Sequence, residues 1–123
     1  MIVARVNDNF DAYVPLELLR NGAIHPVRFV VDTGFNGYLS VTSHLVRLLN
    51  LQVIDVQDGI LADGRRDVFE TVDIVVNWLD GPRRIRAQVL GEPMLGTRML
   101  NGCQIHGIWQ PGSEITISKP SVP

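Results

Sequence analysis

Two stretches of alternating residues face each other across a turn in the middle of the chain. In the first stretch, Val72–Trp78, every second residue is apolar. Asp80–Pro82 then predicts a turn, and in Ile85–Val89 apolar residues alternate with polar ones. Because successive side chains of a β-strand point to opposite faces, this pattern predicts two half-buried antiparallel strands.

Much of the remaining chain also has strand character. Tyr13–Arg20 and Ile24–Val31 flank Asn21-Gly22, a pair that suits the positive φ angles of a tight hairpin turn. Pro15 predicts that the first of these segments is an edge strand, because proline has no N–H to donate to a ladder. Further strands are predicted at Met1–Asn7 and around Ile115 and Ile117.

Two short helices are predicted between the strands. Thr42 or Ser43 suits the N-cap of the first, Ser43–Asn50. The second, Gly96–Leu100, ends at Asn101-Gly102, a common C-terminal signal. The apolar stripe of the first helix is predicted at Leu45, Leu48 and Leu49. Many short strands with two small helices predict an all-β fold, a closed or folded-over barrel, in a single domain over residues 1–123.

Charge and cysteine content narrow the range of partners and compartments. The chain has 123 residues, a net charge of −2 and a single cysteine, Cys103. A nearly neutral chain predicts neither a nucleic-acid partner nor a membrane surface, and no apolar run approaches the roughly 18 residues that span a bilayer. The lone cysteine excludes an internal disulfide and fits a reducing compartment. Since the N-terminus lacks a signal-peptide pattern, we expect a cytoplasmic protein.

Other charged or nucleophilic side chains give weaker indications of a function. Five clustered arginines are typical of solvated hairpin ends, with contact to nucleic acid as the alternative. Cys103 and His106 would lie on opposite faces of a strand, which disfavours a thiol protease and favours a packed thiol. The histidines lack the spacing of metal ligands, so no metal site is predicted. The arginines are Arg65, Arg66, Arg83, Arg84 and Arg86, and the histidines are His25, His44 and His106.

The residues that point to a chemistry follow an apolar strand directly. Val30 and Val31 run into Asp32-Thr33-Gly34. Asp and Gly are common in turns, so a plain strand-ending turn is one interpretation. The other is hydrolysis of an amide by water, because two carboxyl groups that share one proton supply a base and an acid together.

Several segments resemble one family of enzymes. Val31–Leu39 resembles the active-site loop of the retroviral-type, retropepsin-like aspartic proteases, and especially of their small prokaryotic relatives. Leu61–Gly64 resembles the tip of their flap hairpin, and Met94–Gly96 resembles their second motif, two hydrophobic residues and a glycine. Val89–Gly91 fits that motif too, but the short helix that follows favours Met94–Gly96. The resemblance spans about Val14–Ile117 and implies an acid-protease barrel that forms one lobe per chain.

The resemblance implies a role for individual residues. Asp32 would be the catalytic carboxylate, Thr33 would hydrogen-bond to a second subunit, and Gly34 would contact the substrate backbone. The flap residues that would close over the substrate are Ala62, Asp63 and Gly64. In retroviral members an arginine directly follows the glycine of the second motif, at the start of the short helix, and supports the active-site region; this contact is called the brace. Here Arg98 stands one position later, so either it replaces that brace or the brace is absent.

A pair of catalytic carboxylates requires two Asp-Thr-Gly loops, and this chain has one. Asp63-Gly64 and Asp80-Gly81 lack the hydroxyl residue and are typical of hairpin turns. A C2 homodimer solves the problem, because its axis brings Asp32 beside its own copy. We therefore expect a homodimeric aspartic endopeptidase that cleaves peptide or protein substrates without a cofactor. The alternative is the same barrel as a non-catalytic dimerisation or peptide-binding module.

Overall fold

The computed structural model describes residues 1–60 and 63–120. These ranges contain the strands β1 (Ile2–Val6), β2 (Ala12–Arg20), β3 (Ala23–Val31), β4 (Leu39–Val41), β5 (Val53–Ile60), β6 (Arg66–Trp78), β7 (Gly81–Val89), β8 (Met94–Leu95), β9 (Gln104–Gly107) and β10 (Glu114–Ser118). They also contain the helices α1 (Ser43–Leu48) and α2 (Thr97–Leu100). No helix in the described ranges is both long and apolar enough to cross a bilayer.

Six of these strands close into a barrel. Around the barrel the order is β6-β7-β4-β8-β3-β2, and β2 pairs back onto β6 at Leu18–Val76 and Leu19–Val75. The sheet continues beyond β2 through β1, β10 and β9, and beyond β6 through β5. The prediction of an all-β barrel with two short helices is therefore confirmed.

The core is formed by the barrel strands together with β1, β10 and the two helices, and its barrel part follows from the alternation in the sequence. Val72, Ile74 and Val76 of β6 are buried, and β7 buries Ile85 and Ala87 beside them. The arginines that alternate with the β7 pair are exposed. The predicted half-buried pair of strands is confirmed, and the removal of these apolar side chains from water is the main force that holds the barrel together.

Two prolines lie in places that differ from the prediction. Pro15 is in the middle of β2, which has neighbours on both sides, so the prediction of an edge strand is wrong. On the side away from β3, however, β2 pairs with β1 at residues 12–13 and with β6 at residues 18–19. Pro15 falls in the gap between them, where the strand has a local free edge. Pro82 pairs with Asn77, so the predicted turn is shorter and consists of Leu79 and Asp80.

Helix α1 begins as predicted but ends at Leu48 rather than Asn50. Its N-cap is Thr42, whose Oγ1 accepts a hydrogen bond from the Leu45 N–H at 3.2 Å. At the other end Asn50 takes a left-handed φ of 52°, and the N–H groups of Asn50 and Leu51 return to carbonyls of the last turn. This Schellman motif stops the helix. Leu48 is 68% exposed, so its prediction as part of the apolar stripe is wrong, whereas Leu45 and Leu49 are buried as predicted.

The position of β8 inside the barrel gives a first prediction. Leu95 is completely buried between β3 and β4, so Leu95→Ala is expected to lower the free energy of unfolding by about 2–5 kcal/mol. Leu48→Ala is the matched control, with an expected change of less than about 0.5 kcal/mol. Urea denaturation followed by circular dichroism measures both, and equal losses would contradict the placement of β8 in the core.

Candidate active site

Asp32 is the first residue after β3, where its backbone is held on two sides. Its N–H donates to the Leu95 carbonyl at 3.0 Å, which continues the parallel pairing of β3 with β8. Its carbonyl accepts from the Phe35 N–H at 3.1 Å, and its Oδ1 accepts from the Gly34 N–H at 2.8 Å. This local turn fixes a half-buried carboxylate at the point where a core strand leaves the barrel.

The first backbone amides of α2 hold the loop that follows Asp32. The N–H groups of Gly96, Thr97 and Arg98 donate to the carbonyls of Tyr38, Phe35 and Gly37, at 2.9, 2.9 and 3.2 Å respectively. The first N–H groups of a helix have no partner within the helix. Loop carbonyls and helix amides therefore satisfy one another, and the Thr97 hydroxyl adds a longer hydrogen bond to the Phe35 carbonyl at 3.4 Å.

Gly96 is required where the loop meets the helix. A Cβ at this position would lie 2.2 Å from the Gly37 carbonyl oxygen and 2.7 Å from that of Phe35. Both are backbone atoms of the loop, so neither can turn aside as a flexible side chain would. Of the two hydrophobic–glycine triplets in the sequence, Met94–Gly96 is the one that contacts the Asp32 loop, whereas Gly91 is exposed with open space around it.

Ser40 is a further residue of this region that the sequence analysis missed. It is completely buried, its Oγ donates to the Glu92 carbonyl at 2.7 Å, and the same oxygen accepts from the Met94 N–H at 2.9 Å. These bonds join β4 to the segment that leads into β8. The sequence could have pointed to it, because Ser40 is a lone serine between the apolar residues Leu39 and Val41, and a hydroxyl buried among apolar neighbours needs hydrogen-bond partners.

A groove of about 600 Å³ lies between the Asp32 loop and the β5–β6 hairpin. Gln57, Gly59 and Phe69 contribute to the hairpin wall, and the Phe69 ring covers Gly59 so closely that a Cβ there would lie 1.9 Å from it. Arg86 of β7 and Arg98 of α2 also line the groove. Its volume is within the range of sites that bind small molecules or short peptide segments.

Two of the three predicted flap residues, Asp63 and Gly64, lie where the chain leaves β5 and enters β6. Ala62 is outside the described residues. Asp63 and Gly64 form an exposed turn, in which the Asp63 carboxylate binds the backbone N–H of Arg65 at 3.0 Å and its Nε at 2.6 Å, and Gly64 has a φ of 84°. Neither of them lines the groove, whose hairpin wall comes from the stem. Their closure over a substrate stays a prediction, and the stem residues Gln57 and Phe69 were missed.

A second cavity, of about 500 Å³, borders Asp32 on another side. Thr33 lines it together with Ile105 and Trp109, and the Thr33 side chain makes no hydrogen bond with any described residue. The Trp109 Nε1 donates to the Phe10 carbonyl at 2.9 Å. We call the exposed residues at this edge the apolar patch: Phe10, Ile105, Ile108 and Trp109, with exposed fractions of 62, 49, 72 and 49%.

Cys103 lacks the character of a nucleophile. Its side chain is half-buried and packs against the core. Burial raises the pKa of the thiol, although a contact with Trp78 and the charge of Arg83 act in the opposite direction. A reactive thiol needs a lowered pKa, so this environment agrees with the packed thiol expected from the sequence.

Comparisons of the chain with protein-family models, with curated proteins and with solved structures find no match. The retropepsin-like resemblance therefore rests on the sequence motifs, and membership of that family stays a prediction.

The contact between Gly96 and the loop leads to a second prediction. Gly96→Ala forces α2 and the Asp32 loop apart, so we expect a loss of about 1–3 kcal/mol in the free energy of unfolding. Gly91→Ala, where a Cβ meets nothing within 4 Å, is the matched control and should change stability by less than about 0.5 kcal/mol. Chemical denaturation tests the pair. Full stability of Gly96→Ala would mean that the loop does not pack on α2 in this way.

Proposed function

We propose that the chain is an aspartic endopeptidase that acts as a homodimer, with the two Asp32 carboxylates as the catalytic pair. The observation that carries the proposal is the setting of Asp32. The carboxylate lies at the end of a core strand, is fixed by backbone hydrogen bonds, and borders a groove of a size suited to a peptide segment. Catalysis of hydrolysis requires a fixed group beside a space for the substrate.

The chemistry follows from two carboxyl groups that share one proton. The unprotonated Asp32 takes a proton from a water molecule, whose oxygen attacks the peptide carbonyl carbon. The protonated Asp32 donates its proton to the carbonyl oxygen. As the C–N bond breaks, the pair gives a proton to the amide nitrogen and takes one back from a hydroxyl of the tetrahedral intermediate, so a carboxylic acid and an amine leave and the pair again holds one proton. No group beyond the two carboxyls and the water is needed.

The second copy is proposed to cover the edge formed by β9 and the apolar patch. In the described part of the sheet β9 pairs only with β10, and all four of its residues are exposed. An unpaired edge beside exposed apolar side chains is suited to pairing with another strand. The cavity at this edge is also lined by Asp32 and Thr33, so a twofold axis here would place the Thr33 hydroxyl and both carboxylates near the partner.

The role of Asp32 gives a third prediction. Asp32→Asn should abolish peptide cleavage, measured by mass spectrometry on a peptide library, while secondary structure and dimerisation are retained. The matched control is Asp80→Asn in the β6–β7 turn, which removes an exposed ion pair with Lys119, worth at most about 1 kcal/mol, and should cleave normally. Cleavage by Asp32→Asn near the wild-type rate would refute the proposal. A wild-type dimer that cleaves no peptide would favour the non-catalytic module.

The proposed interface gives a fourth prediction. Ile105→Glu would bury a charge without a partner between the two copies, so the dimer dissociation constant should rise at least about tenfold, with a parallel loss of activity at low concentration. Ile24→Glu alters an isoleucine of similar exposure near the start of β3 and serves as the control. Analytical ultracentrifugation distinguishes the two variants. An unchanged association of Ile105→Glu would place the partner elsewhere.

A further inference from the structure

We propose that the groove selects an acidic side chain of its peptide ligand through Arg98. A peptide with Glu or Asp at one fixed position would bind in preference to its amide counterpart. This inference deepens the proposed function, since it names a class of substrate for the same groove. It concerns binding, however, and is measurable without cleavage.

The position of Arg98 relative to Asp32 is fixed by its backbone. The Arg98 N–H donates to the Gly37 carbonyl at 3.2 Å, so its Cα is held against the loop that begins at Asp32. The guanidinium carbon lies 5.9 Å from the centroid of the Tyr38 ring, a cation–π distance. Arg98 and Asp32 line the same groove. An extended peptide in this groove therefore presents its residues to the two side chains in a constant register.

The charges of the groove distinguish Arg98 from its neighbour. Arg86 also lines the groove, but it lies between two carboxylates, at 3.7 Å from Asp73 and 4.0 Å from Asp55. Within residues 1–60 and 63–120, Arg98 has no carboxylate at ion-pair distance. An exposed guanidinium presents a planar fork of donors that matches a carboxylate. Arg98 is thus the groove arginine whose charge is available to a ligand.

The alternative role for Arg98 is to brace the loop. Its backbone N–H and those of Gly96 and Thr97 already satisfy three loop carbonyls. Among the described residues, the guanidinium of Arg98 makes no hydrogen bond to the loop. The two roles also differ in their consequences. Loss of a brace weakens the binding of every peptide alike, whereas loss of an acid-binding residue removes only the preference for an acidic side chain.

The test measures that preference in the Asp32→Asn protein, which does not consume the ligand. The probes are fluorescein-labelled decapeptide libraries with one position fixed as Glu or Gln and no other acidic residue, and fluorescence anisotropy measures binding. At one position the Glu library should bind about three- to tenfold more tightly than the Gln library. This affinity ratio should fall as the salt concentration rises from about 0.05 to about 0.5 M. Arg98→Gln should bring this ratio to about one, and Arg98→Lys should retain part of it. Arg84→Gln removes an exposed β7 arginine that does not line the groove, and should keep the ratio.

The inference is overturned if Glu and Gln libraries bind equally at every position, or if the ratio persists in Arg98→Gln; loss of the ratio in Arg86→Gln instead would assign the acid preference to Arg86. An equal loss of Glu and Gln binding in both Arg98 variants would assign the bracing role and overturn it as well. The proposed function fails separately. A Glu preference together with a wild-type protein that cleaves no peptide would leave the acid-binding groove and remove the protease.

Discussion

The structure of the candidate site depends on the hydrogen bonds between the start of α2 and the loop after Asp32. β8 lies between β3 and β4, parallel to the first and antiparallel to the second, so Leu95 pairs with Val31 and with Leu39. One buried strand therefore holds both ends of the loop, and the helix that continues it holds the middle. Each such bond contributes about 0.5–1.5 kcal/mol, but breaking it leaves a backbone group unpaired at greater cost. The loop is thus held by backbone hydrogen bonds to the core strand and to the helix beside it.

The surfaces around this loop are far more exposed to solvent. The β5–β6 hairpin extends from the barrel with most of its residues exposed, and it forms one wall of the groove at Asp32. On another side, β9 and the apolar patch border the cavity at Thr33. Low burial leaves few contacts to oppose local opening, which suits a wall that admits a ligand and an edge that receives a partner. The site thus joins a fixed carboxylate to two surfaces with room for binding.

The sequence predicted those parts of the fold that local patterns determine. The alternation in β6 and β7 and the turn at Asn21-Gly22 each have a local cause. The contacts that were missed join residues far apart, such as Ser40 with Glu92, or Gly59 with Phe69 across the hairpin. No periodicity in one segment specifies its partner in another. In the proposed homodimer the second carboxylate would come from another copy, so no pattern within one chain could predict the distance between the two carboxylates.

The central claim is that one active site needs Asp32 from two chains, and subunit mixing tests it most directly. Wild-type and Asp32→Asn chains are mixed at constant total concentration, allowed to exchange, and assayed for cleavage of one peptide. If the pair is shared, activity falls as the square of the wild-type fraction, because heterodimers have a defective pair; an equal mixture retains about one quarter of the activity. Activity that falls in proportion to the wild-type fraction, to about one half in the same mixture, would show that each chain carries a complete site and would contradict the account.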